Sequence, residues 1–172
     1  MRLDSNDFEL FGLPQQFQQE RAQIDAQWRR LQAEVHPDRF ASEGAAAQRV
    51  AMQWSVRVNE AYGRLKEPLA RAAYLCEIRG APIAANNNTA MPSSFLMEQM
   101  TWREALDEAK TVSAVTDLET QVSAVRASRM QSLARLLDEN KDASAAVQEV
   151  RALMFIERFS DDVRQRLDHL QP

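Results

Sequence analysis

The tripeptide His36-Pro37-Asp38 is the part of this sequence whose residue types could do chemistry. Its proline stiffens the bend and biases the preceding residue away from helical geometry, so both polar side chains are expected to face solvent. A catalytic or metal site would need further ligands, yet the only other histidine is His169 and the only cysteine is Cys76. Two interpretations remain. Asp38 either accepts a charged hydrogen bond from an arginine of a partner, or it only caps a turn.

The segments on either side of this tripeptide have the periodicity of two amphipathic helices. The first spans about residues 18–35, with one apolar face formed by Ile24, Trp28, Leu31 and Val35. The second spans about residues 45–65, with an apolar stripe formed by Val50, Trp54, Val58, Ala61 and Leu65. A short connection between facing stripes predicts an antiparallel helical hairpin. A helical turn over residues 8–13 precedes the hairpin, and a helix over residues 68–80 follows it.

The second half of the chain predicts a separate three-helix unit. Prolines 82 and 92 and three successive asparagines indicate a linker over residues 80–92. Three helices are expected after it, over about 94–110, 116–140 and 142–170, and the capping-box pattern from Thr116 to Glu119 predicts the start of the second. The first of these helices has a sufficient core face, formed by Phe95, Trp102, Leu106 and Ala109.

That same helix carries more apolar residues than one buried face uses. The remaining apolar residues, Leu96, Met97 and Met100, lie on the helix surface outside this core face, and Glu104 lies one turn beyond Met100. Phe155 is similarly off the main apolar stripe of the last helix. An apolar patch with an acidic rim is typical of a protein-binding surface, and methionine suits adaptable contacts. The alternative is that the helix is buried on two sides.

Composition and charge narrow the class of partner. The first 80 residues carry eleven basic and eleven acidic side chains, so the net charge of −4 lies entirely in the remainder. This balance argues against nucleic-acid binding, and no apolar run is long enough to cross a bilayer. The N-terminus lacks the pattern of a targeting peptide, and one cysteine cannot form an internal disulfide. A cytoplasmic location is expected.

Several spaced segments of the first half resemble a J-domain. Phe8-Glu9-Leu10-Phe11-Gly12-Leu13 is similar to its opening helix, and His36-Pro37-Asp38 stands between the second and third helices, as it does in J-domains. The resemblance continues through Asn59-Glu60-Ala61-Tyr62, Leu65, Pro68, Arg71 and Tyr74. It implies that the loop triggers ATP hydrolysis in a DnaK-class chaperone. It also implies that Arg21, Arg29 and Arg30 steer docking, although these residues could equally form a solvated helix face.

The second half resembles the HscB co-chaperone family in residues 95–100 and 103–108, and so does the segment 37–42 in the first half. The resemblance implies an all-α, L-shaped protein with a J-domain over 1–79, the linker over 80–92 and a C-terminal three-helix bundle over 93–172. It further implies a co-chaperone without a cofactor, metal or catalysis of its own, which delivers the iron–sulfur scaffold IscU to the chaperone HscA.

In that family the scaffold-binding residues would be Leu96, Met97, Met100, Glu104 and Phe155. Two positions depart from the family pattern, because Thr101 stands where an acid is expected and Met154 stands where a basic residue is common. The alternatives are a J-domain co-chaperone for another client, a hydrolase that uses the loop, or a structural helical adaptor. A monomer is the expected state, although the sequence leaves this open.

Overall fold

The computed structural model describes residues 2–83 and 90–171, and all regular secondary structure in these ranges is helical, without a β-strand. The α-helices it contains are α1 Asp7–Leu10, α2 Arg21–Val35, α3 Ala45–Lys66, α4 Pro68–Ile78, α5 Ser93–Glu108, α6 Val112–Ala134 and α7 Ala143–Leu170. A 3-10 helix over Pro37–Glu43 replaces the predicted loop between α2 and α3. The all-α fold class predicted from the sequence is therefore confirmed.

The chain divides into two compact units, Met1–Leu75 and Cys76–Pro172, and the division falls within α4. The domain boundaries expected from the sequence, at residues 79 and 93, stay a prediction. Six residues of the expected linker, 84–89, lie outside the described residues.

In the first unit, α2 and α3 form an antiparallel hairpin whose polar pairs fix the register. Trp28 Nε1 donates a hydrogen bond to Asn59 Oδ1 at 3.0 Å, and Tyr62 Oη donates one to Asp25 Oδ1 at 2.8 Å. In each pair the two residue numbers add up to the same total, which is the pattern expected for neighbours on two antiparallel helices. Trp28 also stacks on Tyr62, with ring centroids 4.6 Å apart, so this predicted core residue contributes through a half-exposed aromatic pair.

The predicted apolar stripe of α3 is wrong at one position. Val50 is 53% exposed, whereas its neighbour Ala51 is 3% exposed and takes the buried place. Position 51 lies seven residues before the buried Val58, which is two helical turns, and that spacing keeps it on the same face. Periodicity alone favoured the larger side chain at position 50.

A buried carboxylate joins α1 to α3. Asp7 is fully buried and accepts hydrogen bonds from Arg57 Nη1 at 2.7 Å and from Arg64 Nε at 2.6 Å. Its backbone N–H donates to Tyr74 Oη of α4 at 2.9 Å. The Asp7 carboxylate is shielded from water. A buried ion pair of this kind is stable only when its hydrogen bonds are complete, because they must offset the cost of removing the charges from water.

The second unit is an up-down-up bundle of α5, α6 and α7. Residues of α5 contact residues about 60 positions later in α7, as in the ion pair of Arg103 with Asp162 at 2.8 Å and the stacking of Trp102 on Phe159 at 5.7 Å. Because the difference in residue number between contacting residues stays nearly constant, α5 and α7 run parallel. Helix α6, which connects them in the sequence, runs antiparallel to both. The predicted core face of α5 is buried, as are Leu118, Val122, Leu133, Leu137, Val150, Leu153, Ile156 and Val163.

Helix α6 begins one turn earlier than the sequence predicts. Thr111 is the N-cap, and its hydroxyl accepts a hydrogen bond from Ala114 N at 3.1 Å. Thr116 lies inside the helix, so its match to the capping-box pattern is coincidental. Packing in the core explains the extra turn. Val115 is completely buried, and the helix reaches this position in the core only because it begins before residue 115. The end of α6 widens into a π-helical turn over Arg135–Glu139.

We predict that Asp7→Asn destabilises the first unit by about 3 kcal/mol, because an amide accepts less strongly and leaves two arginines without their carboxylate. Urea unfolding followed by circular dichroism at 222 nm would measure the free energy of unfolding. The matched control is Asp4→Asn, which removes a solvent-exposed partner of Arg2 and should leave the midpoint unchanged. Equal midpoints for the two variants would contradict a structural role for the buried network.

Candidate functional site

The tripeptide His36-Pro37-Asp38 lies at the end of α2, where proline ends the helix and opens the 3-10 helix. His36 has φ −60° and ψ 127°, the extended conformation that a residue before proline prefers. Its Nδ1 accepts a hydrogen bond from Asp38 N at 3.2 Å, and Asp38 Oδ2 lies 3.6 Å from the same nitrogen. The Asp38 side chain is 92% exposed, which leaves both carboxylate oxygens available to a partner.

The 3-10 helix is also tied to α2 on the C-terminal side of Asp38. Arg39 Nη1 donates a hydrogen bond to the carbonyl oxygen of Ala33 at 3.0 Å, which ties the segment back to α2. Gly44 follows with φ +97°, a conformation that side chains rarely adopt, and it turns the chain into α3. The tripeptide is therefore part of a short ordered connection with a constraint at each end.

Two of the three arginines predicted to steer docking have their charge compensated locally. Arg21 Nε pairs with Asp25 at 2.8 Å, and Arg30 Nη1 pairs with Glu34 at 2.9 Å. The hydrogen bond from Arg21, together with the one from Tyr62, lowers the pKa of Asp25. Arg29 is exposed and is not part of either of these ion pairs, although its charge also lowers the pKa of Asp25.

The second unit carries an exposed apolar patch. We define the patch as four side chains whose exposed fractions are 47% for Leu96, 67% for Met97, 63% for Met100 and 38% for Phe155. The first three lie on α5, and Phe155 lies on α7. The Phe155 ring meets the buried Phe95 edge-on, with centroids 6.0 Å apart, and so connects the patch to the core beneath it. The same elements therefore fix the geometry of the core and of the patch.

The polar side chains of these two helices set the charge near the patch. Glu104 is exposed one turn beyond Met100, as the sequence predicts. Thr101 turns inward along its own helix and donates a hydrogen bond from Oγ1 to the carbonyl oxygen of Met97 at 3.0 Å. Met154 is half-buried, and its uncharged side chain brings no charge to that position.

Sequence reasoning missed Arg158, whose guanidinium lies over the Phe155 ring at 5.7 Å from its centroid. An arginine held on an aromatic face keeps its hydrogen-bond donors free at the ring edge. The spacing of three residues between an aromatic residue and an arginine on one helix was the available signal, because side chains three apart are neighbours on a helix surface.

Neither unit offers a metal site within residues 2–83 and 90–171, where no group of three or more His, Cys, Asp or Glu side chains could hold an ion. Cys76 is completely buried, and burial raises the pKa of its thiol to about 11, so at neutral pH the thiol is protonated and a poor ligand. None of the helices described is both long and apolar enough to cross a membrane.

Comparison with known proteins gives the family. Residues 91–164 match the family model described as the HSCB C-terminal oligomerisation domain. A co-chaperone protein HscB homolog from Bordetella petrii is 48% identical over 157 residues, which cover 91% of this chain and 92% of the relative. The corresponding protein of Burkholderia multivorans is 45% identical over 172 residues, with 98% of each chain covered.

Solved structures agree with this assignment. The chaperone HscB from Vibrio cholerae superposes with a TM-score of 0.84 at 34% identity, covering 96% of this chain and 99% of the other. The human co-chaperone protein HscB has the same fold, with a TM-score of 0.89 at 24% identity, covering 96% of this chain and 83% of the other. From these sequence relatives and the shared architecture, the chain belongs to the HscB co-chaperone family.

Proposed function

We propose that this co-chaperone binds an IscU-type iron–sulfur scaffold with its second unit and stimulates the ATPase of an HscA-type, DnaK-class chaperone with its first. The observation that carries the proposal is that one chain exposes both a charged trigger and an apolar patch. Asp38 is almost fully exposed on a stiffened bend, and the four side chains of the patch are exposed above a packed core. Neither exposure is needed for the fold, so a partner is the physical reason that remains.

The chemistry of the first unit favours an arginine-bearing partner. A carboxylate that is held on a rigid turn loses little entropy on binding, and it can accept two parallel hydrogen bonds from a guanidinium. Arg29 attracts an acidic partner surface at longer range, and a charge of this kind changes the rate of encounter more than the final affinity. Arg21 and Arg30 contribute less because each already has a carboxylate partner. In this mechanism the co-chaperone forms no covalent bond and has no catalytic residue.

The chemistry of the second unit favours an apolar partner surface with charged residues of both signs around it. Leu96, Met97 and Met100 supply apolar area, and flexible methionine side chains can adapt to a folded scaffold. Glu104 offers a carboxylate at the margin of this area, whereas Arg158 offers donors beside Phe155. A partner with both signs of charge around an apolar centre would match this arrangement. We place the protein in the cytoplasm, with domains over 1–79 and 93–172 joined by residues 80–92.

Self-association is a second candidate role for the patch, because the description of the matched family model names oligomerisation. Sedimentation velocity at increasing protein concentration distinguishes the two roles. A dimer that disappears in the patch variant described below would favour self-association, and a monomer at all concentrations would leave scaffold binding as the role.

We predict that Asp38→Asn abolishes stimulation of an HscA-type ATPase and leaves scaffold binding unchanged. Asparagine is nearly isosteric but uncharged, so the charge-assisted hydrogen bonds to an arginine are lost. Single-turnover ATP hydrolysis by the purified chaperone, with and without the co-chaperone, measures the effect. Asp4→Asn is the matched control, because it neutralises another exposed carboxylate of the same unit. Undiminished stimulation by Asp38→Asn would contradict the proposed trigger.

We predict that replacing Leu96, Met97 and Met100 by alanine weakens scaffold binding at least about tenfold, or 1.4 kcal/mol, because the apolar centre of the interface is lost. The melting temperature should change little, because these side chains are exposed and alanine favours helix. Isothermal titration calorimetry with a purified IscU-type scaffold measures the affinity. The control replaces Met52 and Val56, which are similarly exposed on α3, by alanine. If the scaffold does not bind the wild type but ATPase stimulation persists, the client is a different protein.

A further inference from the structure

An open groove lies beside the tripeptide in the first unit, and neither the fold nor the trigger uses it. The end of α2, the 3-10 helix and the first turns of α3 line this groove, whose volume is about 490 Å³. Its apolar lining comes from Val35, Phe40, Ala47, Val50 and Trp54. Glu34 and Glu43 contribute the acidic side chains of the lining.

The groove stays open because the residues beneath it are small. The first turns of α3 carry Ala46, Ala47 and Ala51 where larger side chains would reach toward the 3-10 helix. Phe40 and Trp54 are consequently only half-buried, and Val50 keeps half of its surface in water. The 3-10 helix itself contains no fully buried residue. Apolar side chains that surround a concave space, and do not close it, are typical of a recognition site.

The position of the groove in the chain makes it continuous with the proposed trigger. Val35 immediately precedes the tripeptide, and Phe40 follows it by two residues. A partner surface that reaches Asp38 therefore comes within a few ångströms of the groove, because consecutive Cα atoms are about 3.8 Å apart. The rest of the exposed apolar surface of α3 differs in this respect, since Met52 and Val56 are exposed but do not line the groove.

Charge indicates the kind of segment that fits. Glu34 and Glu43 lie in the lining, and Asp38 adds a third carboxylate nearby in the chain. Arg39, the basic residue of the 3-10 helix, is turned back onto the carbonyl oxygen of Ala33. Glu34 is already paired with Arg30, which leaves Glu43 as the carboxylate best placed to attract a cation. An apolar side chain followed or preceded by Lys or Arg complements this lining.

We propose that the groove receives an apolar side chain, flanked by a basic residue, from the same DnaK-class ATPase that engages Asp38. The inference rests on the proposed function and deepens it, because it adds a second contact that selects among ATPases. Asp38 supplies the charged contact that any arginine-bearing partner could make. The groove supplies a shape-dependent contact that only a partner with a matching apolar residue can make.

The test compares Val50→Asp with Met52→Asp. Both positions are exposed by about half, at 53% and 54%, and both lie in the first half of α3, so the two substitutions make similar demands on the helix. The measurement is the co-chaperone concentration that gives half-maximal stimulation of an HscA-type ATPase. We expect Val50→Asp to raise it about tenfold, because a charge is buried at the contact, and Met52→Asp to leave it unchanged. Circular dichroism checks that both variants are folded.

A chemical probe reads the contact directly. Val50→Cys and Met52→Cys would each be labelled with a maleimide in the presence and absence of saturating ATPase in its ATP-bound state. The native Cys76 gives little background, because it is buried and its thiol pKa is raised to about 11. We expect the ATPase to slow labelling at position 50 at least about fivefold and to leave position 52 unaffected, because only the contact position is shielded from reagent.

The outcomes separate this inference from the function on which it rests. If the wild type fails to stimulate the ATPase, both are overturned. If the wild type stimulates and Asp38→Asn does not, while Val50→Asp equals Met52→Asp and neither cysteine is protected, the groove alone is overturned. Protection of position 50 together with a raised half-maximal concentration for Val50→Asp supports it.

Discussion

A helix that packs on one side can bury only one stripe of its surface, and this constraint decides where the protein has surfaces to offer. Helix α5 fills its stripe with Phe95, Trp102 and Leu106, all of which are buried. The larger apolar residues that remain on α5, Leu96, Met97 and Met100, are then exposed to water or to a partner. The same constraint acts on α3, where Ala51 takes the buried place and Val50 is left outside. The exposed apolar surfaces are thus a consequence of having more apolar residues than the core can accept.

Polar pairing shapes the first unit as strongly as apolar packing does. The buried carboxylate of Asp7 joins α1 to α3 through two arginines, and Asp25 joins Arg21 to Tyr62 across the hairpin. These pairs consume charge that would otherwise be available to a partner. Asp38 and Arg29 make none of these hydrogen bonds, although the charge of Arg29 contributes to lowering the pKa of Asp25. The internal ion pairs of Asp7, Asp25 and Glu34 therefore reduce the charge that this unit can offer to a partner.

The two surfaces differ in the physics that each can supply. The exposed Asp38 on its stiffened bend provides a directional, charge-assisted contact whose strength depends on geometry. The apolar patch of the second unit provides contact area with adaptable side chains, and such contact tolerates small changes in the shape of the partner. A protein that must discriminate between two partners benefits from having different recognition chemistry for each. The family assignment as a co-chaperone fits a chain of this kind.

The sequence by itself determined the helical class, the approximate helix ranges, the exposed bend at His36-Pro37-Asp38 and the family. These features depend on local propensity, on proline and on short motifs, which act within a few residues of the chain. Only the tertiary structure decided the features that depend on contacts between distant residues. The N-cap of α6 is Thr111, not the predicted Thr116, because Val115 is buried in the core. Val50 lines the groove and is not part of the core, because Ala51 lies nearer the face of α3 that packs. The contact of Arg158 with Phe155, and the ion pairs of Arg21 and Arg30, likewise depend on side-chain placement that periodicity does not specify.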